Sequence, residues 1–294
     1  MQNKCHHIYT NNSLDGAISL LTYMWSHPQN DNFHYTPISN LNRIKNDLKN
    51  AHNKSKHVML DLSINNNFLP ELDDPSITII DHRRSSESFI KDFKHSKIIY
   101  KEHTSTSLLL YKLLKDKLEI NKNQKMLIAL ADDYTSYKMS IEDSLNLNII
   151  FWSEYQNRFY DFIEDYFNGF KPITEKQKKS IHFIKNQSAN IIKNLQLFSG
   201  NLNFGDRSKK TIAVMSENVT PYVIDSLINI HRPDIILSIN IKTNSVFIKQ
   251  CTSEDPIDCS AFVSKFCEGY GNSSMAYGTI TPLFMEITKN LNPC

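Results

Sequence analysis

Residues 77–83 read Ile77-Thr78-Ile79-Ile80-Asp81-His82-Arg83, a β-branched run that ends on an acid, an imidazole and a guanidinium. Such residues fit a pleated, buried surface, so the run predicts a strand with titratable groups at its carboxyl end. Two stretches before it follow the same plan. Residues 57–62 (HVMLDL) lead to Asp61, and residues 6–10 (HHIYT) lead to Asn11-Asn12-Ser13-Leu14-Asp15-Gly16. After Asp15 the apolar residues Ala17, Leu20, Leu21 and Met24 recur at helical spacing.

The rest of the chain extends the alternation. A polar helix candidate at 41–52 and a turn-rich stretch at 65–76 lie between the early strands. Segment 105–118 opens on Ser105-Thr106-Ser107, hydroxyl residues suited to capping, and continues as an amphipathic helix. The apolar run 126–131 precedes Asp132-Asp133-Tyr134. Residues 150–197 read as amphipathic helix broken by Pro172, and 199–210 as a polar, glycine-containing boundary. A smaller α/β unit follows, with a strand at 211–215, a helix near 220–230, hairpin strands at 234–241 and 245–250 around Lys242-Thr243-Asn244, and a helix near 258–268. Strands alternating with helices imply a parallel sheet, whose ligands gather beyond the carboxyl ends of its strands.

Composition narrows the function. The chain has 294 residues, enough for two domains, and 40% hydrophobic residues, enough for folded cores. A net charge of +2 does not suit wrapping long duplex DNA, whereas a short anionic ligand held by local geometry suits it. The amino terminus has no apolar signal region, and no window has the roughly 18 apolar residues of a membrane span, so a soluble cytoplasmic protein is expected. Five cysteines form no CxxC pair, and Cys251, Cys259 and Cys267 recur at intervals of eight, which is not a zinc spacing. Free thiols in a reducing compartment are expected.

Four acidic positions share a setting: Asp15, Asp61, Asp81 and the Asp132-Asp133 pair. Carboxylates gathered at one sheet edge repel one another unless cations neutralise them. Oxygen donors with an imidazole suit Mn2+ or Mg2+ better than a thiol-preferring ion. Each aspartate alone reads equally as a turn or capping residue.

Taken together, the motifs resemble the DHH phosphoesterase superfamily over most of the chain. That family opens with His-x-Asp-x-Asp-Gly, where this sequence has Asn11-Asn12-Ser13-Leu14-Asp15-Gly16. Its second motif is a strand-terminal aspartate, matched by Asp61. Its naming motif Asp-His-His appears as Asp81-His82-Arg83. A Ser/Thr-rich turn entering a helix matches Thr104-Ser105-Thr106-Ser107, and the fourth motif matches Asp132-Asp133-Tyr134. Residues 257–268 resemble the helix before the Gly-Gly-Gly-His loop of the DHH-associated domain, and Gly269-Tyr270-Gly271-Asn272 stands where that loop would be, followed by Ala276 and Gly278. The resemblance implies a parallel-sheet DHH domain (1–150), a helical linker (151–204) and a smaller α/β DHH-associated domain (205–294).

It also implies roles. Asp15, Asp61, His82 and Asp133 (or Asp132) would hold one divalent ion, with Asp133 preferred. Asp81, His82 and Arg83 would serve catalysis, and Arg83, Ser105, Thr106, Lys249, Gly271 and Asn272 would bind substrate. The second ion of the family would rest on Asn11, Ser13 and Asp61, two of them neutral, so one tightly bound Mn2+ or Mg2+ is expected. His7 is a candidate rescuing ligand, against the plainer reading of a strand-face histidine. Asn272 replaces the loop histidine. The Leu-Asp-Gly and Asp-Asp-Tyr contexts look most like the oligoribonuclease branch, which implies hydrolysis of short oligonucleotides or small (di)nucleotides by metal-activated water. The alternative is a degenerate member that binds nucleotide or a protein partner. Oligomeric state, a homodimer included, stays open.

Overall fold

The computed structural model describes residues 6–28, 33–37, 48, 55–62, 72–82, 90–101, 104–116, 118–136, 138–155, 157–217, 219–251, 257–271 and 275–294. The chain divides into two compact units, Met1–Ile181 and His182–Cys294.

The first unit is built on five strands, β1 (His6–Thr10), β2 (Phe33–Pro37), β3 (Lys56–Leu60), β4 (Ile77–Asp81) and β5 (Lys97–Tyr100), in the order β2-β1-β3-β4-β5. Every neighbouring pair is parallel. The side chains alternate between two cores, as a period of two requires. Ile8, Val58, Leu60 and Ile80 pack on the helical side, while Tyr9, Met59, Ile77 and Ile79 form a smaller cluster on the other. The helical side is covered by α1 (Leu14–Trp25), α2 (Thr106–Leu114), α3 (Lys122–Thr135), α4 (Glu142–Ser153) and α5 (Arg158–Asp165). The apolar run 126–131 is therefore helical. A capping box between Asn121 and Gln124 starts α3, and its buried residues Leu127, Ile128, Leu130 and Ala131 follow helical spacing. The helix candidate at 41–52 lies outside the described residues except for Leu48.

Helix α6 (Glu175–Lys193) leads into a seven-stranded sheet in the second unit. It contains β6 (Gln196–Phe204), β7 (Arg207–Met215), β8 (Ile235–Asn240), β9 (Ser245–Gln250), β10 (Glu268–Gly271), β11 (Met275–Thr279) and β12 (Asn292–Pro293). Among the described residues of this sheet, only β7 and β8 pair in parallel. Residues 196–204, expected within a helical linker, are a strand, because Gly205-Asp206 is a hairpin turn rather than a boundary. Gly205 stands at φ 66°, the left-handed backbone that such a turn needs. Helix α7 (Pro221–His231) packs on β8, and α8 (Cys259–Phe266) covers the opposite face together with Phe284 of α9 (Pro282–Thr288). Cys251, Cys259 and Cys267 are free thiols, and burial pushes them up to about 11, 12 and 11. Among the described residues no helix is long and apolar enough to cross a membrane.

The amino ends of the first unit's strands collect imidazoles. His7 pairs in register with His34 and His57, and its ring stacks on theirs at 5.3 and 5.2 Å. His7 stands four residues before Asn11, roughly 13 Å along an extended strand, which puts it at the other end of the sheet from the acids. On the opposite face His6 contacts His27, and its Nδ1 lies 3.0 Å from the Tyr23 hydroxyl. Burial, and then His27 and Lys56, lower the His6 pKa to about 4. Unfolding releases His6 to its ordinary value, so the unfolded chain binds more protons between the two and folded stability falls as pH drops from about 6.5 to about 4. His6→Gln should remove that component. Denaturant midpoints for both proteins across this window will test it, and parallel curves would exclude the assignment.

Candidate metal centre

Three elements deliver side chains to the carboxyl edge of the first sheet. Strand β3 ends at Leu60, and the next residue, Asp61, takes a left-handed φ of 57° while its amide bonds the Ile80 carbonyl at 3.1 Å. Strand β4 closes on Asp81, with His82 directly after it. Helix α1 is capped by Ser13, whose Oγ accepts from the Gly16 amide at 3.0 Å. A Cβ on Gly16 would lie 2.2 Å from the Asn11 carbonyl oxygen, so the helix can start this close to β1 only with glycine there.

These placements bring Asp15, Asp61 and His82 together, each buried, with one ligand atom apiece within 4.8 Å of the others. His82 Nδ1 stands 3.6 Å from Asp61 Oδ1, 3.8 Å from Asp15 Oδ2 and 3.9 Å from Asp81 Oδ1. It also lies 2.9 Å from Thr106 Oγ1. Two carboxylates and an imidazole are a donor set for a hard divalent ion, and the residues present fit one.

Asp15 has a second attachment. Its Oδ2 accepts from the Thr106 amide at 2.8 Å, and its Oδ1 accepts from the Ser107 amide at 3.0 Å and the Ser107 hydroxyl at 2.6 Å. The carboxylate is thus the anion at the amino terminus of α2, where unsatisfied amides and the helix dipole favour negative charge. Burial, and then repulsion from Asp61, nevertheless raise its pKa to about 6, against the opposing pull of His82 and Ser107.

The Asp132-Asp133 pair does not join the cluster. Asp133 Oδ1 accepts from the Ser140 amide at 3.0 Å and the Ser140 hydroxyl at 2.5 Å, and its Oδ2 accepts from the Ile141 amide at 3.1 Å. Burial pushes its pKa up, yet these donors hold it below the ordinary value. Both oxygens fasten the turn after α3, which is why the preferred ligand Asp133 is not presented to the site. Asp132 is the one that faces α2. Its Oδ1 accepts from the Ser105 amide at 2.7 Å and the Thr104 hydroxyl at 3.2 Å, and Lys138 Nζ donates to Oδ2 at 2.9 Å. The amides of Ser105 and Thr106, two residues expected to bind substrate, are therefore taken by Asp132 and Asp15.

Solved structures share this fold. A DHH domain from a member of a family of ribosomal proteins matches with a TM-score of 0.63 at 10% identity, covering 98% of this chain and 86% of its own. RecJ from Thermus thermophilus in complex with Mn2+ matches with 0.61 at 11%, covering 98% of this chain and 51% of its own. The chain has the DHH fold. An exonuclease RecJ bound to manganese matches with 0.54 at 11%, covering 98% and 89%. This chain spans about half the length of the Thermus RecJ. No protein-family model and no curated relative matches the sequence.

Within the DHH fold the remaining expected residues divide between the units. Arg83 and Asn272 lie outside the described residues. Lys249 and Gly271 belong to the second unit. Burial, opposed by Cys251 and Asp225, lowers the Lys249 pKa to about 8. Gly271 ends β10 opposite Ala276. The glycines around it have a packing reason. Gly269 and Gly278 are register partners beneath α8, and a Cβ on them would come within 2.3 Å and 2.8 Å of Val263 Cγ1. Sequence reading missed Ser107 and Lys138. The hydroxyl run at a helix start could have signalled Ser107, but nothing in the local pattern marks Lys138.

The raised Asp15 value has a measurable consequence. The folded carboxyl binds its proton more tightly than the unfolded one, so in EDTA its contribution to stability rises as pH falls from about 6 toward about 4. Asp15→Asn should lack this rise, and an unchanged pH slope in the variant would rule out the assignment.

Proposed function

We propose that the chain is a metal-dependent phosphoesterase acting on short oligonucleotides or small nucleotides, with one Mn2+ or Mg2+ held by Asp15, Asp61 and His82. The observation that carries this reading is the buried group of two carboxylates and one imidazole at the carboxyl edge of a parallel sheet. A divalent ion bound there supplies Lewis acidity to a phosphoryl oxygen and acidifies a coordinated water. Asp61 and Asp15 offer oxygens and His82 a nitrogen, while Thr106 Oγ1 steadies the imidazole. Asp81, buried beside His82, lies 3.9 Å from the same ring nitrogen that faces Asp15 and Asp61. Arg83 next to His82 suits a bidentate grip on phosphate. The RecJ neighbours support the general chemistry, one as an exonuclease and two by their bound manganese. The oligoribonuclease assignment rests on the motif contexts alone.

A second reading, a protein that binds nucleotide without turnover, draws on one observation. Ser13 stands where the resembled motif has an aspartate, and its hydroxyl donates to Asp61 Oδ2 at 2.7 Å. That bond gives one oxygen of Asp61 a neutral donor. Calorimetry with Mn2+ should give one ion per chain, and Asp61→Asn should weaken binding by about 100-fold or more, since even supporting groups around a metal account for about 10–100-fold. Labelled dinucleotides and pentanucleotides incubated with Mn2+ decide between the readings. Cleavage abolished by EDTA and by Asp61→Asn establishes the enzyme, whereas nucleotide binding without cleavage favours the second reading.

A further inference from the structure

We propose that Lys138 is a built-in counter-cation of this site, holding Asp132 out of the metal's coordination shell and keeping divalent affinity low. The inference rests on the metal-centre reading above and adds a residue that sets the strength of that site.

Two consecutive amides set the geometry. Ser105 N–H donates to Asp132 and Thr106 N–H donates to Asp15, so two carboxylates from different helices meet the same helix start side by side. Asp15 in turn shares His82 with Asp61. Asp132 is thus the acid beside Asp15 at the start of α2, buried at 6% exposure, and its second oxygen, were it free, would add a donor next to the cluster. Lys138 takes that oxygen instead, with Nζ 2.9 Å from Oδ2.

The lysine reaches this position through a fixed turn. After α3 the backbone folds back, with the Ser136 amide on the Asp132 carbonyl at 2.8 Å and the Lys138 amide on the Asp133 carbonyl at 2.9 Å. Met139 takes a left-handed φ of 49°, and the Asp133 carboxylate clasps Ser140 and Ile141. The two adjacent aspartates therefore divide the work. Asp133 shapes the turn, and Asp132 receives the ammonium that the turn delivers. Burial pushes the Asp132 pKa up, yet the Lys138 ammonium and the Ser105 amide bring it below its ordinary value, as expected for an acid already matched with a cation.

Charge decides the direction of the effect. A nearby positive charge lowers the affinity for a divalent ion by repulsion, on the order of tenfold at the screening of a half-exposed surface. Calorimetric titration with Mn2+ of the full chain tests the proposal. Lys138→Met should bind the ion about tenfold more tightly, while Lys138→Arg, which keeps the charge, should match the wild type. Adding Asp132→Asn to Lys138→Met should return affinity toward the wild-type value, because the released carboxylate is then lost. Unchanged or weaker binding in Lys138→Met overturns the proposal, as does equal tightening in Lys138→Arg. Lys138→Gln gives the same comparison if the methionine variant does not fold. A wild type that binds no Mn2+ would instead overturn the metal centre itself.

Discussion

One carboxylate holds the first unit's site together. Asp15 sits in the opening turn of α1 and accepts both leading amides of α2, a segment 91 residues further along the chain. The contact serves three ends at once. It satisfies donors that a helix start leaves open, it fixes the angle at which two helices meet over the sheet, and it brings a negative charge to Asp61 and His82. These ends conflict, because a buried carboxylate facing another carboxylate costs free energy unless a cation or a proton intervenes. The elevated value of about 6 at Asp15 expresses that conflict. A site strained in this way has something to gain from a cation, which is why the geometry favours a metal over mere structural capping.

Strands β1, β3 and β4 and the carboxyl edge of the sheet were legible because they depend on composition and position, whereas the edge strands β2 and β5 were not. The short, nearly continuous apolar runs at 57–61 and 77–81 mark buried strands, and an acid at the end of a parallel strand lies at the sheet's carboxyl edge. Asp61, Asp81 and His82 follow from that alone. The division of labour at Asp132 and Asp133 was not legible. Both stand on a helix, and which of them faces α2 depends on how α3 is rotated against it, while the turn after α3 takes up the other through Ser140 and Ile141. Local pattern also gives two readings of glycine. Gly205 marks a hairpin rather than a boundary, and Gly269 with Gly278 reflects how closely α8 lies on the sheet.

The two ends of the first sheet differ in chemistry. Oxygen donors crowd the carboxyl end, and His6, His7, His34 and His57 line the amino end. A parallel sheet keeps them apart because every strand runs the same way, so residues early in each strand share one edge and residues late in each share the other. His7 cannot reach the acids for that reason, and the missing charge at Ser13 has no substitute from β1. The hydrogen bond from Ser13 to Asp61 supplies a proton where a more acidic neighbour would call for a second ion.

Asp61 is constrained twice over, by charge and by the sign of its backbone angle. Left-handed residues are drawn mainly from glycine, asparagine and aspartate, since other side chains collide with their own carbonyl there. Within that small alphabet only aspartate carries a full negative charge. A descendant that gave up its ion would be released from one demand and not the other. Its position 61 would drift to asparagine or glycine rather than to alanine or valine, leaving a trace of the abandoned chemistry in the shape of the chain.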